Sequence, residues 1–270
     1  MARPCESIRH HFRGMCEALA SLALPAPCRI CDRDLDTASL IPFCRVCLTA
    51  LLQPLPEPLC AQCGRPVLAG PAGEGLAPPW CHLCRRGVYG FDLARSFGAY
   101  TPRMSQAILL LKYENVTPLG KWFARLLAGL VQRQPDMFVA DAVVPVPLDQ
   151  GRLRERGYNQ AELIAKPLAG LLGIPFRSYL LVRTRPRPDQ LRLSRQEHLE
   201  TVRGAYATHP SAKVDKLRVL LVDDVLTTGA TLDACSRVLK GAGAARVVGL
   251  TVARALPRSP DAEQASNDQG

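Results

Sequence analysis

The apolar positions of this 270-residue chain follow two periods. Ser105 to Lys112, Leu119 to Gln132, residues 158–172 and Thr231 to Lys240 repeat them at the three- and four-residue spacing of amphipathic helices. Short runs around these read as strands: residues 94–100, Asp141 to Pro147, Leu180 to Arg183, Val219 to Asp223 and Arg246 to Ala253. Pro167 inside the third helical run predicts a kink or a division. Val219 to Val222 is apolar without alternation, the pattern of a strand buried on both faces of a parallel sheet. Strands alternating with helices predict an α/β fold on a parallel sheet. Residues 183–206 are rich in Pro and Arg and have no clear period, as expected of a lid or a disordered loop. Residues 6–22 predict an amphipathic helix, and the polar run from Pro257 predicts a disordered tail.

Asp223 and Asp224 end the apolar run, and Thr227, Thr228, Gly229, Ala230 and Thr231 follow just before a helical pattern. Within a strand two adjacent carboxylates point to opposite faces. Where the chain turns at the carboxyl end, both are expected to face the crevice in which α/β sheets bind ligands. Backbone amides and hydroxyls at a helix N-terminus cradle a phosphate. Acceptors for sugar hydroxyls beside a phosphate nest fit a phosphorylated sugar. The competing readings are a capped helix with no ligand and a Walker B strand; the second lacks a GxxxxGK[ST] loop, because Gly120-Lys121 is followed by Trp122. A second basic cluster, Arg152, Arg154 and Arg156 beside Gly157, is read as a loop that holds pyrophosphate, against a plain solvated turn.

Ahead of the α/β pattern stand four CxxC pairs: Cys28 and Cys31, Cys44 and Cys47, Cys60 and Cys63, Cys81 and Cys84. Two such knuckles complete a tetrahedral four-cysteine site, which suits structural zinc and leaves no open catalytic position. The spacing favours the first pair with the second and the third with the fourth. A crossed arrangement stays open, as does a disulfide or redox reading. His82, inside the last knuckle, is read as a bystander, and Cys5, Cys16 and Cys235 as ordinary thiols.

Net charge is +10, and residues 151–203 supply +6 of it, which favours polyanionic partners. No apolar run reaches the roughly 18–20 residues that span a bilayer. Residues 18–26 after Arg9 and Arg13 have the outline of a signal peptide, but Glu6 and Glu17 interrupt it, so a mature helix and a cytoplasmic protein are expected.

The run VLLVDDVLTTGAT, residues 219–231, resembles the phosphoribosyl-pyrophosphate (PRPP) motif of type I phosphoribosyltransferases. The resemblance implies that Asp223 and Asp224 bind the ribose hydroxyls and that Thr227, Thr228, Gly229, Ala230 and Thr231 hold the 5′-phosphate, with Mg2+ accompanying PRPP. The whole arrangement is similar to the ComF family: N-terminal helix, double zinc ribbon, Phe91 to Tyr113, then VPVPL running into RLRERGYNQAEL, then the PRPP motif. This implies a lead-in at 1–27, ribbons at 28–90, a phosphoribosyltransferase-like domain at 91–256 and a tail at 257–270. It also implies a part in DNA uptake, natural transformation and handling of single-stranded DNA. A nucleotide-salvage phosphoribosyltransferase and a non-catalytic nucleic-acid adaptor are the alternatives. Two departures stand out. His198 and Thr201 occupy positions where the family tends to carry Arg and Asn, and Thr227 stands where purine-salvage relatives carry an aspartate directed at the base. No catalytic residue is assigned.

Overall fold

The computed structural model describes residues 27–35, 39–67, 79–185, 202 and 204–256. The expected helix at 6–22, the tail from 257, most of the 183–206 stretch and both His198 and Thr201 lie outside the described residues.

Four strands form one parallel sheet: β1 (Leu93–Ala99), β2 (Ala142–Pro145), β5 (Arg218–Leu226) and β6 (Arg246–Arg254), in the order β1-β6-β5-β2. Every connection is therefore a crossover, and the helices lie on the faces. One face carries α3 (Pro102–Tyr113), α4 (Pro118–Arg133) and α6 (Gln160–Leu172), packed on Val143, Leu220, Val222, Val248 and Leu250. The other carries α7 (Ala230–Gly241), packed with Ala142, Val144, Val219, Leu221 and Val247. Val219 to Val222 thus feed both layers alternately, which is why the run needs no polar position. Pro167 lies inside α6 without dividing it.

Two short elements go beyond the sequence expectation, the helix at 150–156 and the strand at Tyr206–Thr208, whereas the strand expected at Leu180 to Arg183 is present. Residues 150–156 form a short helix, α5 (Gln150–Arg156), not a loop. The Asp149 side chain caps it by accepting from the Arg152 N–H at 3.0 Å, and Gly157 ends it at φ 77°, a left-handed turn that suits glycine. The ends of the aperiodic stretch, β3 (Leu181–Arg183) and β4 (Tyr206–Thr208), pair as a separate antiparallel ribbon.

Two four-cysteine units precede the sheet, and each lies against a different face of it. The first contains α1 (Arg45–Leu51) and joins the α3–α4 layer through Cys28, Phe43, Cys47 and Leu51. The second contains α2 (His82–Arg85) and joins the α7 layer through Cys60, Cys63 and Cys84. Its knuckle also covers the free edge of β1, where the Ala94 N–H donates to Gln62 O at 2.7 Å.

Candidate functional site

The carboxyl edge of β2 and β5 opens into a cavity of about 270 Å³ lined by Lys112, Tyr113, Val146, Pro147, Leu148, Arg152, Arg156, Gln160, Asp223, Asp224, Val225, Thr227 and Thr231. The strand does not turn at the acidic pair, as the sequence suggested; it runs on to Leu226. The pair therefore keeps strand geometry, one carboxylate toward each layer. Asp224 forms an ion pair with Lys112 of α3, and Asp223 lies near the Cys235 thiol of α7, which burial first, and Asp223 after it, pushes well up. Past the pair the alternation slips: Val225 packs with the α3–α4 layer and Leu226 with the α7 layer. The N–H groups at the slip turn to the carboxylates, Asp224 N–H to Asp223 Oδ1 at 2.8 Å and Val225 N–H to Asp224 Oδ1 at 2.9 Å. Both aspartates are buried and both line the cavity.

Burial, and after it the charge of Asp224, pushes the Asp223 carboxyl well above the usual carboxylate range. Lys112 supplies the one ion pair described for either carboxylate. Two adjacent acids held in this way are costly for the fold, which marks a ligand site more than a structural one.

On the opposite wall, α5 explains which arginines gather. Residues four apart share a helix face and residues two apart do not. Arg152 and Arg156 accordingly line the cavity, while Arg154 is exposed on the other side and neither it nor Gly157 contributes to the lining. Arg156 donates to Gln160 Oε1 at 3.0 Å and to the Tyr113 hydroxyl at 2.9 Å, and its guanidinium lies 4.5 Å from that ring's centroid. Tyr158 OH donates to Leu111 O, and Asn159 both caps α6, by accepting from Ala161 N–H, and donates to Val146 O at 3.0 Å. This segment ties α3, β2 and α6 into one rim. Lys112, Tyr113 and Gln160 join the site although the sequence reading did not assign them; they lie in the Phe91 to Tyr113 segment and the RLRERGYNQAEL run that carried the family resemblance.

Of the loop, Thr227 and Thr231 reach this cavity and Thr228, Gly229 and Ala230 do not line it. Gly229 sits at φ 88° as N-cap of α7, a conformation that favours glycine, and the Thr228 hydroxyl accepts from Ala230 N–H at 3.3 Å.

The eight paired cysteines form two groups, Cys28, Cys31, Cys44 and Cys47, and Cys60, Cys63, Cys81 and Cys84, the sulfurs of each within 4.8 Å of one another. The groups follow the sequential pairing, not the crossed one. Sulfur separations of 3.6 Å (Cys31 to Cys44) and 3.7 Å (Cys63 to Cys81) match the edge of a tetrahedron around an ion with Zn–S of about 2.3 Å. They are far from the roughly 2.05 Å of a disulfide, and all eight thiols are free. Cys44 N–H donates to Cys28 Sγ and Cys81 N–H to Cys60 Sγ, each at 3.3 Å. Burial raises Cys28 and Cys60, but backbone N–H donors outweigh it and bring both to about 7. Burial and neighbouring thiols push Cys47 and Cys84 up. Four thiolates so close need a cation, and each group could hold a zinc ion. His82 is not in either group.

The second group has a further feature. Arg254 is 1% exposed and donates to Cys63 O at 2.6 Å, with its other terminal nitrogen 3.7 Å from Cys63 Sγ. Arg95, also buried, donates to the carbonyls of Cys60, Ala61, Gln62 and Ala94. Among the described residues neither has a carboxylate partner. Two guanidinium charges balance the 2− that four thiolates and one Zn2+ would carry.

Comparison with known proteins fits this architecture. Residues 159–266 match the phosphoribosyl transferase domain. The chain is 32% identical over 233 residues to the DNA utilization protein YhgH of Salmonella typhimurium, covering 84% of this chain and 96% of that protein. It is 31% identical over 179 residues to competence protein F of Haemophilus influenzae, covering 65% and 78%. Among solved structures, the glutamine PRPP amidotransferase of B. subtilis aligns with 50% of this chain and 26% of its own, at 24% identity and a TM-score of 0.35. With a phosphoribosyltransferase-like α/β sheet behind two four-cysteine groups, and relatives matched over most of its length, the chain belongs to the ComF family, alongside competence protein F and YhgH.

Proposed function

We propose that this protein binds PRPP with Mg2+ at the carboxyl edge of β5 and serves the use of incoming DNA, as the names of its relatives suggest for them. The observation that carries the reading is the cavity itself: two buried adjacent carboxylates facing Arg152 and Arg156 across about 270 Å³. Asp223 and Asp224 accept hydrogen bonds from the ribose hydroxyls. Amides and hydroxyls of Thr227 to Thr231 hold the 5′-phosphate, and Arg152 and Arg156 meet the diphosphate. Lys112 pairs with Asp224 until the sugar arrives. Mg2+ would neutralise the diphosphate and stabilise a departing pyrophosphate. In this reading residues 28–90 form the double zinc ribbon, residues 91–256 the PRPP-binding domain, and the protein works in the cytoplasm, where free thiols persist. No helix among the described residues is long and apolar enough to cross a membrane.

Thr227 offers no carboxylate toward a base, which favours PRPP binding over purine salvage. The test is calorimetry with PRPP and Mg2+ on the wild type and on the Asp223→Ala/Asp224→Ala variant. Loss of binding in the variant supports the reading; equal affinity sinks it. Handling of single-stranded DNA rests on the net charge of +10 and its concentration in residues 151–203. It predicts affinity that falls steeply as salt rises. Affinity insensitive to salt counts against it.

A further inference from the structure

We infer that Tyr89 is a positioning residue for the phosphate loop and that the second four-cysteine unit holds it in place. The inference rests on the PRPP reading for its ligand, but its geometry is independent of that reading.

Tyr89 follows Cys84, the last cysteine of the second group, by five residues. Its hydroxyl donates to the Thr228 backbone carbonyl at 2.8 Å. Its ring lies so close beneath Gly229 that a Cβ there would meet ring carbon at 2.8 Å. The loop thus rests on this side chain at two successive residues. The ring itself is stacked on Phe91, centroids 4.8 Å apart and planes 17° from parallel.

The backbone around Tyr89 is fastened to the same helix that the loop opens. Gly90 N–H donates to Asp233 Oδ1 at 2.6 Å, Arg237 donates to Val88 O at 2.8 Å, and Arg237 and Asp233 pair with each other across one turn of α7. On the far side, Gln62 of the Cys60–Cys63 knuckle donates to Phe91 O at 2.7 Å, while Arg254 and Arg95 tie that knuckle to β6 and β1. Residues 88–91 therefore bridge the metal knot and the first turn of α7. A phosphate bound by backbone amides gains affinity only if those amides are already aimed at it. Tyr89 supplies that support from below, and the knot fixes Tyr89. The first four-cysteine unit lies on the other face of the sheet, and its described side-chain hydrogen bonds to the α/β part go to α3 and Glu114 at its end, not to the loop.

The test uses the full-length zinc-loaded protein. Ribose 5-phosphate, which engages the loop, and magnesium pyrophosphate, which does not, are titrated into wild type, Tyr89→Phe and Tyr89→Ala. Amide hydrogen exchange is followed at residues 227–231. Expected are a loss of about tenfold in ribose 5-phosphate affinity for Tyr89→Ala, a smaller loss for Tyr89→Phe, and unchanged pyrophosphate affinity, with faster exchange in the loop. Cys84→Ser, checked by zinc content to have lost one ion, should show the same selective loss, and Cys44→Ser in the first unit should not. Wild-type ribose 5-phosphate affinity in Tyr89→Ala, or an equal fall for both ligands, overturns the inference. Should the wild type bind neither PRPP nor ribose 5-phosphate, the PRPP reading falls alone, and the exchange data decide the brace: faster exchange at 227–231 in Tyr89→Ala upholds it and unchanged exchange removes it.

Discussion

The two four-cysteine units are built alike and attached differently. The first docks by apolar contact: Phe43 meets Trp122 edge-on with centroids 6.3 Å apart, and Cys47 and Leu51 sink into the α3–α4 layer. The second docks by charge and hydrogen bonds, through two buried guanidiniums and a knuckle that completes the edge of β1. Apolar docking tolerates small shifts, because dispersion and burial are non-directional. Hydrogen-bonded docking fixes orientation, because a displaced buried donor loses its partner and its solvation together. The unit held by directional contacts is the one that adjoins residues 227–231 through Tyr89. The same four-cysteine motif is thus joined by packing on one face and by directional contacts on the other.

The comparison breaks most visibly at Arg254. Arg254→Met leaves the four-thiolate group of the second unit with one of its two buried counter-charges, Arg95, and should cost about 3–5 kcal/mol. Denaturant unfolding of the zinc-loaded protein should show that loss, and chelator titration should release one ion early and the other normally. Unchanged stability with both ions retained would remove the counter-charge role. In the first unit the corresponding test is Phe43→Ala, which empties a well-packed apolar site and should cost about 3 kcal/mol. Here both ions should stay bound at a given chelator concentration, since no charge is lost; early release from the first unit would show that its packing and its metal site are one system.

How much of this was legible in the sequence depends on how local the cause is. Val219 to Val222 announced a doubly buried parallel strand because every position must be apolar, and the four CxxC pairs announced two four-cysteine groups because the ligands of a knuckle are sequence neighbours. Residues 150–156 did not announce a helix: seven residues with no buried position carry no apolar stripe, and only the cap at Asp149 and the stop at Gly157 betray it. The strand at Tyr206–Thr208 is too short to show a period. The acidic pair and its opening onto a crevice were legible, but the course of the backbone was not, since the strand continues through the pair to Leu226 and slips only at Val225. Tyr89 was out of reach altogether, because its partner Thr228 lies 139 positions away. Nothing in the sequence singles out Arg95 and Arg254; the neighbouring sulfur group, far away in the chain, gives them a reason to be buried.

The two carboxylates repeat the contrast between the faces and allow a smaller test. Asp224 faces Lys112 on the α3 side, so Asp224→Asn strands a partly buried cation and should cost about 1–2 kcal/mol at neutral pH. Asp223 is the reverse case. Its folded pKa is raised by burial and by Asp224, so the folded protein holds the proton more tightly than the unfolded chain does. The stability it contributes is fully present below the ordinary carboxylate pKa and is lost as pH rises toward the raised value. Asn keeps the acceptor for Asp224 N–H and abolishes the titration. Asp223→Asn should therefore raise the melting temperature at pH 7 by about 2–4 °C, with the gain vanishing near pH 4, while PRPP binding disappears. A melting temperature lowered at pH 7 would show that Asp223 is ionised and stabilising in the free protein.

The smallest expected effect is the one that isolates the polar side of the first unit. Arg29 pairs with Glu114 at the end of α3, both side chains 47% exposed, and its carbonyl accepts from Gln106 at 2.6 Å. The ion pair is bathed in solvent, so screening and side-chain entropy cancel most of its attraction. The backbone hydrogen bond survives truncation of the side chain. Arg29→Ala should therefore change unfolding free energy by no more than about 0.5 kcal/mol, and the difference should fade at high salt. A larger loss, insensitive to salt, would mean that the first unit is also held by directional contacts, and the division of labour between the two faces would not stand.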